Sequence, residues 1–379
     1  MNQDIRTVIT ASVDLLAVGE PTHQEPAFGR LRNDLFADLV DEGFRSIALE
    51  TDRVAALMVD DFIQGGHENL DTVMRDGFSH GFSAIAANRE LVVWMRDYNR
   101  EHPDDRVTFH GFDLPAENTS APSPRHHLEY ALGYLGLDLD LTGLLGPDDR
   151  WSRSEAILDA TASIGDTSEA AQLRVLADDL LTTLHARAPE LIAASSRADW
   201  YRARIHLTTA LGLLRYHRKA AQRIDEGARI SVLLATRDAL MAQNLLDIRT
   251  IEEGRGGTLV GAHNGHVQRD LAGMHVAGME LDYHCAGAIV DALLGRRYAV
   301  VIGSLGRSDS LGLADPDSDT YEGVLQRRVT GWGLIDPTTI PPARRRTDQE
   351  PQQGYSPLHQ SLIGSADAVL HLADPDALA

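Results

Sequence analysis

Six short, continuous apolar runs limit what this chain can fold into: residues 14–19, 46–50, 107–111, 258–262, 298–303 and 368–372. Each is too short for a helix, and in all but 107–111 the apolar residues follow one another without a polar alternation. That is the pattern of a strand covered on both faces, as in a parallel sheet with helices above and below. Between the first two runs, Phe28, Leu31, Leu35, Phe36, Leu39 and Val40 recur near helical spacing, and the stretch 26–42 stops at Gly43. Glycine is a common residue just past a helix end, so this reads as a βαβ unit with a right-handed crossover. A further helix is predicted over 84–100, leading into the third run.

From 123 to 250 the pattern changes to long amphipathic stretches at 168–195, 198–222 and 228–250. The expected architecture is therefore α/β: a mostly parallel central sheet flanked by helices, built from 1–122 and 251–379, with 123–250 as a helical insertion subdomain able to act as a lid. The polar, proline-rich segment 308–357 reads as a long surface loop. At 379 residues the chain is long enough to bury a large core.

Composition narrows the partners. A formal charge of −21, with ArgArgArg at 344–346 as the largest basic cluster, argues against nucleic acid and anionic membrane surfaces. Cys285 stands alone, so no intrachain disulfide forms; it is expected as a small buried core residue in a reducing compartment. The first residues lack a secretory pattern and no apolar run approaches membrane-spanning length, so a cytoplasmic location is expected. A single lysine, Lys219, among many arginines, alanines and aspartates is the bias of a GC-rich genome such as an actinobacterial one.

Ligands of open parallel sheets bind beyond the carboxyl ends of the strands. Here the first run ends in Gly19, Glu20, Pro21, Thr22 and His23, the second in Glu50, Thr51 and Asp52, the third runs into Asp113, and the fourth into His263, Asn264 and His266. Singly, each has an ordinary explanation: Glu20 capping a helix, His23 in a turn, Asp113 in an Asx-turn, His266 in the core. Their coincidence at four strand ends points to a site, because ionisable groups crowded into a partly buried cleft cost desolvation energy. A neutral imidazole is a suitable base for water, and a carboxylate can fix its tautomer. His23 is the predicted base, with Glu20 or Glu50 as its partner. His263, His266, Asn264 and Arg32 are candidates to stabilise an oxyanion, and Thr22, Asp113 and Asn264 to bind substrate.

Two other chemistries compete. Residues 77–81, GlyPheSerHisGly, match a nucleophile elbow, and Ser79, Asp113 and a later histidine would follow serine-hydrolase order. The elbow needs a strand before the serine, whereas 69–76 is polar with helical spacing, so Ser79 is predicted to lie in a loop. His23, His263, His266, Glu20 and Glu50 could instead ligate zinc or manganese, but neither HExxH nor paired cysteines are present, and no metal is expected. No P-loop occurs, and the turn after the first strand is acidic, so no nucleotide cofactor, and no cofactor of any kind, is expected.

Taken in order, LeuLeuAlaValGlyGluProThrHis (15–23), Arg32, GlyPheArgSerIleAlaLeuGlu (43–50), TrpMetArgAspTyrAsn (94–99), GlyPheAsp (111–113), ArgAspAlaLeuMetAlaGlnAsn (237–244) and AlaHisAsnGlyHisVal (262–267) resemble the erythromycin esterase family over most of the chain. That family also includes succinoglycan-biosynthesis-like proteins and is more distantly similar to haem-binding and membrane-protease relatives. The resemblance implies that His23 activates water, with Glu20 the adjacent acid, Arg32 the active-site arginine, Glu50 the second-strand carboxylate and His263 and His266 the histidine pair. It also implies hydrolysis of a small-molecule ester or macrolide lactone, in resistance or secondary metabolism, without a metal or a serine nucleophile. Gln24 departs from the glycine of many relatives and bears on the cleft wall. Acyl transfer or rearrangement, metal-dependent hydrolysis, and small-molecule binding without turnover are the alternatives.

Overall fold

Nine strands carry the architecture in a computed structural model that describes residues 4–10, 12–276 and 279–375: β1 (Leu15–Glu20), β2 (Phe44–Asp52), β3 (Thr108–Asp113), β4 (Gly257–His263), β5 (Leu271–Val276), β6 (Met279–His284), β7 (Tyr298–Leu305), β8 (Trp332–Ile335) and β9 (Ala368–Leu372). Seven of them form one sheet in the order β3-β2-β4-β1-β7-β9-β8, parallel except for β8 against β9. The fold is α/β, with a mostly parallel sheet flanked by helices. β5 and β6 make a separate antiparallel hairpin.

Both faces of the sheet are covered, which is why the apolar runs are continuous. In β1, Leu16 and Val18 join one core with Leu31, Leu35 and Phe36 of the Pro26–Asp41 helix. Leu15 and Ala17 join the other with Met241, Leu245 and Ile248 of the Glu226–Ile251 helix. Complete burial of one such leucine stabilises the fold by about 1.5–3 kcal/mol. Pro26 stands in the first turn of its helix and the Glu25 side chain caps it by accepting the Ala27 N–H. The helix stops at Gly43, whose φ of +91° suits glycine.

The periodic stretch 168–195 is two helices, Ser168–Ala186 and Ala188–Ala194, because Pro189 supplies no N–H to continue the first. Helices within 125–220 share a core of their own that includes Leu128, Trp151, Leu173, Leu180, Leu207 and Leu214.

The expectation of a plain surface loop over 308–357 is corrected. This segment holds the Tyr321–Gln326 helix and β8, and it buries Glu322, Arg346 and Tyr355. A four-residue edge strand carries too little pattern to be read from sequence, because its pairing with β9 is made by backbone. The arginine triplet is divided: Arg346 is buried against the carbonyls of Gly306 and Ala314 and pairs with Asp348 at 2.6 Å, and Arg344 pairs with Asp317 and Asp319. Cys285 is buried, its Sγ donating to the Gln268 carbonyl. Among the described residues no helix is long and apolar enough to cross a membrane.

Parallel registry sets the strand ends side by side. Glu20 is level with His263, Leu49 with Gly261, and Asp52 with Asp113, with an irregularity in β2 between Leu49 and Asp52.

Candidate active site

Beyond β1 the chain turns so that His23, three residues after Glu20, folds back on it. Nδ1 of His23 donates to Oε1 of Glu20 at 2.6 Å, and the ring lies 4.9 Å from that of Phe82. Its other nitrogen, Nε2, faces Oε2 of Glu50 at 3.7 Å. Burial disfavours the imidazolium, but the Glu50 and Glu20 carboxylates outweigh it and the His23 pKa is raised.

Glu50, near the end of β2, is a buried carboxylate between cations. Oε2 accepts the backbone N–H of His263 at 2.9 Å, while Oε1 lies 3.4 Å from Nε2 of His266 and 3.8 Å from Arg237. Burial alone would raise its pKa, yet His266, His23 and Arg237 hold it at about 2. His266 donates through Nδ1 to Asp238 at 2.8 Å, and Asp238 also accepts the Ala286 N–H at the start of the Ala286–Leu294 helix. Against the cost of burial, Asp238 and Glu50 push His266 up to about 9. The result is a row of alternating charge: Glu20, His23, Glu50, His266, Asp238.

Asp113, at the end of β3, serves this row at second hand. It is fully buried and paired with Arg237, which with His80 keeps it ionised below the usual range despite burial. His80 has a φ of +57°, rare outside glycine, with Nε2 3.0 Å from Asp113 and Nδ1 3.0 Å from Glu117. Asp52 sits beside this pair, and burial raises it to about 6.

The remaining predicted residues divide by what their polar atoms already bond. Arg32 lines the cleft with Glu20, His23 and Glu50. It is held by the side-chain carbonyls of Asn33 and Asn88 at 2.8 and 2.9 Å, and burial lowers its pKa to about 10. His263 is spent on backbone: Nε2 donates to the Pro21 carbonyl at 3.2 Å and Nδ1 accepts from the Gly265 N–H at 3.1 Å. Burial and the neighbouring His23 bring it down to about 4. Asn264 is spent likewise, donating to and accepting from the Gly303 backbone at 2.8 and 2.9 Å. Thr22 donates to the Gln353 carbonyl and Gln24 to that of Gln352, so the turn carrying His23 is anchored to the 351–353 segment. Ser79 follows the Leu70–Gly77 helix, not a strand, and its Oγ accepts the Asp52 N–H at 2.7 Å. Among the described residues, the site's imidazoles and carboxylates do not bring three donor atoms within 4.8 Å of one another.

A profile of erythromycin esterases matches residues 39–374. The chain belongs to the erythromycin esterase family. Three solved structures share the fold. A mutant of the erythromycin esterase EreC in its open conformation is 18% identical, with a TM-score of 0.68 over 98% of this chain and 93% of that one. A protein from Bacillus cereus is 16% identical, with a TM-score of 0.68 over 98% of this chain and 90% of the other. A succinoglycan biosynthesis protein is 16% identical, with a TM-score of 0.65 over the same shares of 98% and 90%. No curated protein matches. Family membership supports a hydrolase-type function. The profile match begins after Glu20, His23 and Arg32, so for these residues the geometry is the separate ground.

In this erythromycin esterase family chain, Asp238, Arg237 and His80 are the site residues that strand-end reasoning misses. Arg237 and Asp238 lie within the Glu226–Ile251 helix, where two adjacent charges resemble a solvated face. The signal for His80 was its place in the glycine-flanked 77–81 segment, obscured by the serine beside it.

Proposed function

We propose that this protein hydrolyses a small-molecule ester or macrolactone with water activated by His23 and without a serine nucleophile. One observation carries the reading: Glu20 holds Nδ1 of His23 at 2.6 Å, which leaves Nε2 as the basic nitrogen, 3.7 Å from Glu50. That gap is too long for a direct hydrogen bond and short enough for one water to touch both groups. As the water oxygen attacks the carbonyl carbon, its proton passes to Nε2, and the imidazolium is stabilised by Glu20. Negative charge gathers on the carbonyl oxygen, and His266, which Asp238 and Glu50 keep protonated, and the buried Arg32 are the nearby cations suited to meet it. His23 then returns the proton to the departing alkoxide, giving a carboxylic acid and an alcohol.

The test is mass spectrometry of a panel of macrolides and simpler lactones incubated with the wild type and with His23→Ala. The expected result is a product heavier by one water, formed about 10²–10⁴-fold more slowly by the variant. Near-wild-type turnover by His23→Ala would remove His23 as the base.

A further inference from the structure

Away from the strand ends, the helical part of the chain holds a second group of imidazoles. His126 and His127 lie at the start of the Arg125–Leu135 helix, and His206 lies on the Arg197–Ala220 helix that packs against it. Each offers one ring nitrogen such that the three atoms fall within 4.8 Å of one another, the only such grouping among the described residues. The rings are almost equidistant, with centroids 5.4 Å apart for His126 and His127 and 5.5 Å for each of these with His206.

We propose that His126, His127 and His206 form a binding site for one zinc(II) ion that ties these two helices together. The Nδ1 atoms of His127 and His206 are 3.4 Å apart. That is long for a hydrogen bond between nitrogens, but a tetrahedral site with Zn–N bonds of about 2.0–2.1 Å has an N···N edge of about 3.3–3.4 Å. His206 is held in place by Tyr130, whose ring stacks on it at 3.8 Å with the planes 6° apart. His127 and His206 are buried while His126 is exposed, so a preformed pair faces a solvent-side third ligand, which gives an ion its way in. Burial favours the neutral, metal-binding form of both inner rings. Arg202, one turn before His206 on the same helix, pairs with Asp61. Three imidazole ligands leave a fourth position for water and suit zinc.

The experiment uses the full-length, untagged chain, stripped with a chelator and titrated with zinc chloride. Bound zinc is counted after gel filtration, and cobalt(II) serves as a visible-absorption probe of tetrahedral geometry. One zinc per chain is expected, with tetrahedral cobalt bands and a Tm that rises with zinc concentration. Binding should weaken at least about tenfold in His126→Ala and in His206→Gln and be unchanged in His23→Ala. His126→Ala removes an exposed ring, so loss of the fold does not confuse the result. Zinc content indifferent to both substitutions, no zinc retained at micromolar concentration, or zinc lost in His23→Ala but not in His126→Ala would each overturn the proposal.

Discussion

Asp238 accepts a hydrogen bond from Nδ1 of His266 at 2.8 Å, reaching the end of β4 from the middle of a helix. The contact sets the protonation of His266: with Asp238 and Glu50 beside it, the imidazolium persists to about pH 9. In Asp238→Asn the charge is lost while the shape is kept. Turnover is expected to fall on the order of 10²-fold, and the alkaline limb of the pH–rate profile to move below 9. An unchanged alkaline limb would mean that another group sets it.

Stability should depend on pH at both extremes. The folded-state pKa of His266 is raised from 6.5 to about 9, so its contribution is complete below pH 6.5 and is lost as pH rises through 9. Glu50 is lowered from 4.5 to about 2, so its contribution is complete above 4.5 and is lost as pH falls through 2. Tm measured across this range should decline at both ends, and His266→Gln should flatten the alkaline decline.

Ser79→Ala separates the proposed chemistry from that of a serine hydrolase. Ser79 Oγ accepts the Asp52 N–H and contacts Thr51 Oγ1 at 3.1 Å, so the substitution should cost about 1 kcal/mol of stability. Turnover is expected to stay within a few-fold of wild type. A loss of several orders of magnitude, with the fold intact by circular dichroism, would restore Ser79 as a nucleophile.

Gly261→Ala tests the seat of Arg32. A Cβ at Gly261 would stand 2.7 Å from Cδ of Arg32 and 2.9 Å from a methyl of Leu49. Accommodating it must displace the arginine from Asn33 and Asn88. The expected cost is about 1–3 kcal/mol in denaturant unfolding, together with reduced turnover. Wild-type turnover would mean that Arg32 has no part in the reaction.

The legible part of the fold was the part written in local pattern. β9 is legible at 368–372 as it stands, and β1 within one residue, because a strand buried on both faces leaves a predominantly apolar run. Glu20 and His23 were legible because three residues of chain bring them together. Asp238 was not, since its partner is 28 residues away and no periodicity marks a buried aspartate inside an otherwise packing helix. His263 and Asn264 were found at the right strand end, but their role was not legible: which backbone groups consume their polar atoms depends on the approach of Pro21 and of β7.

The five groups from Glu20 to Asp238 share partners in sequence, each carboxylate neighbouring an imidazole on at least one side. A change of charge at one member alters the field at its neighbours along the row. Under the proposed mechanism, a change at Asp238, at the far end, would therefore retune the working pH without touching His23.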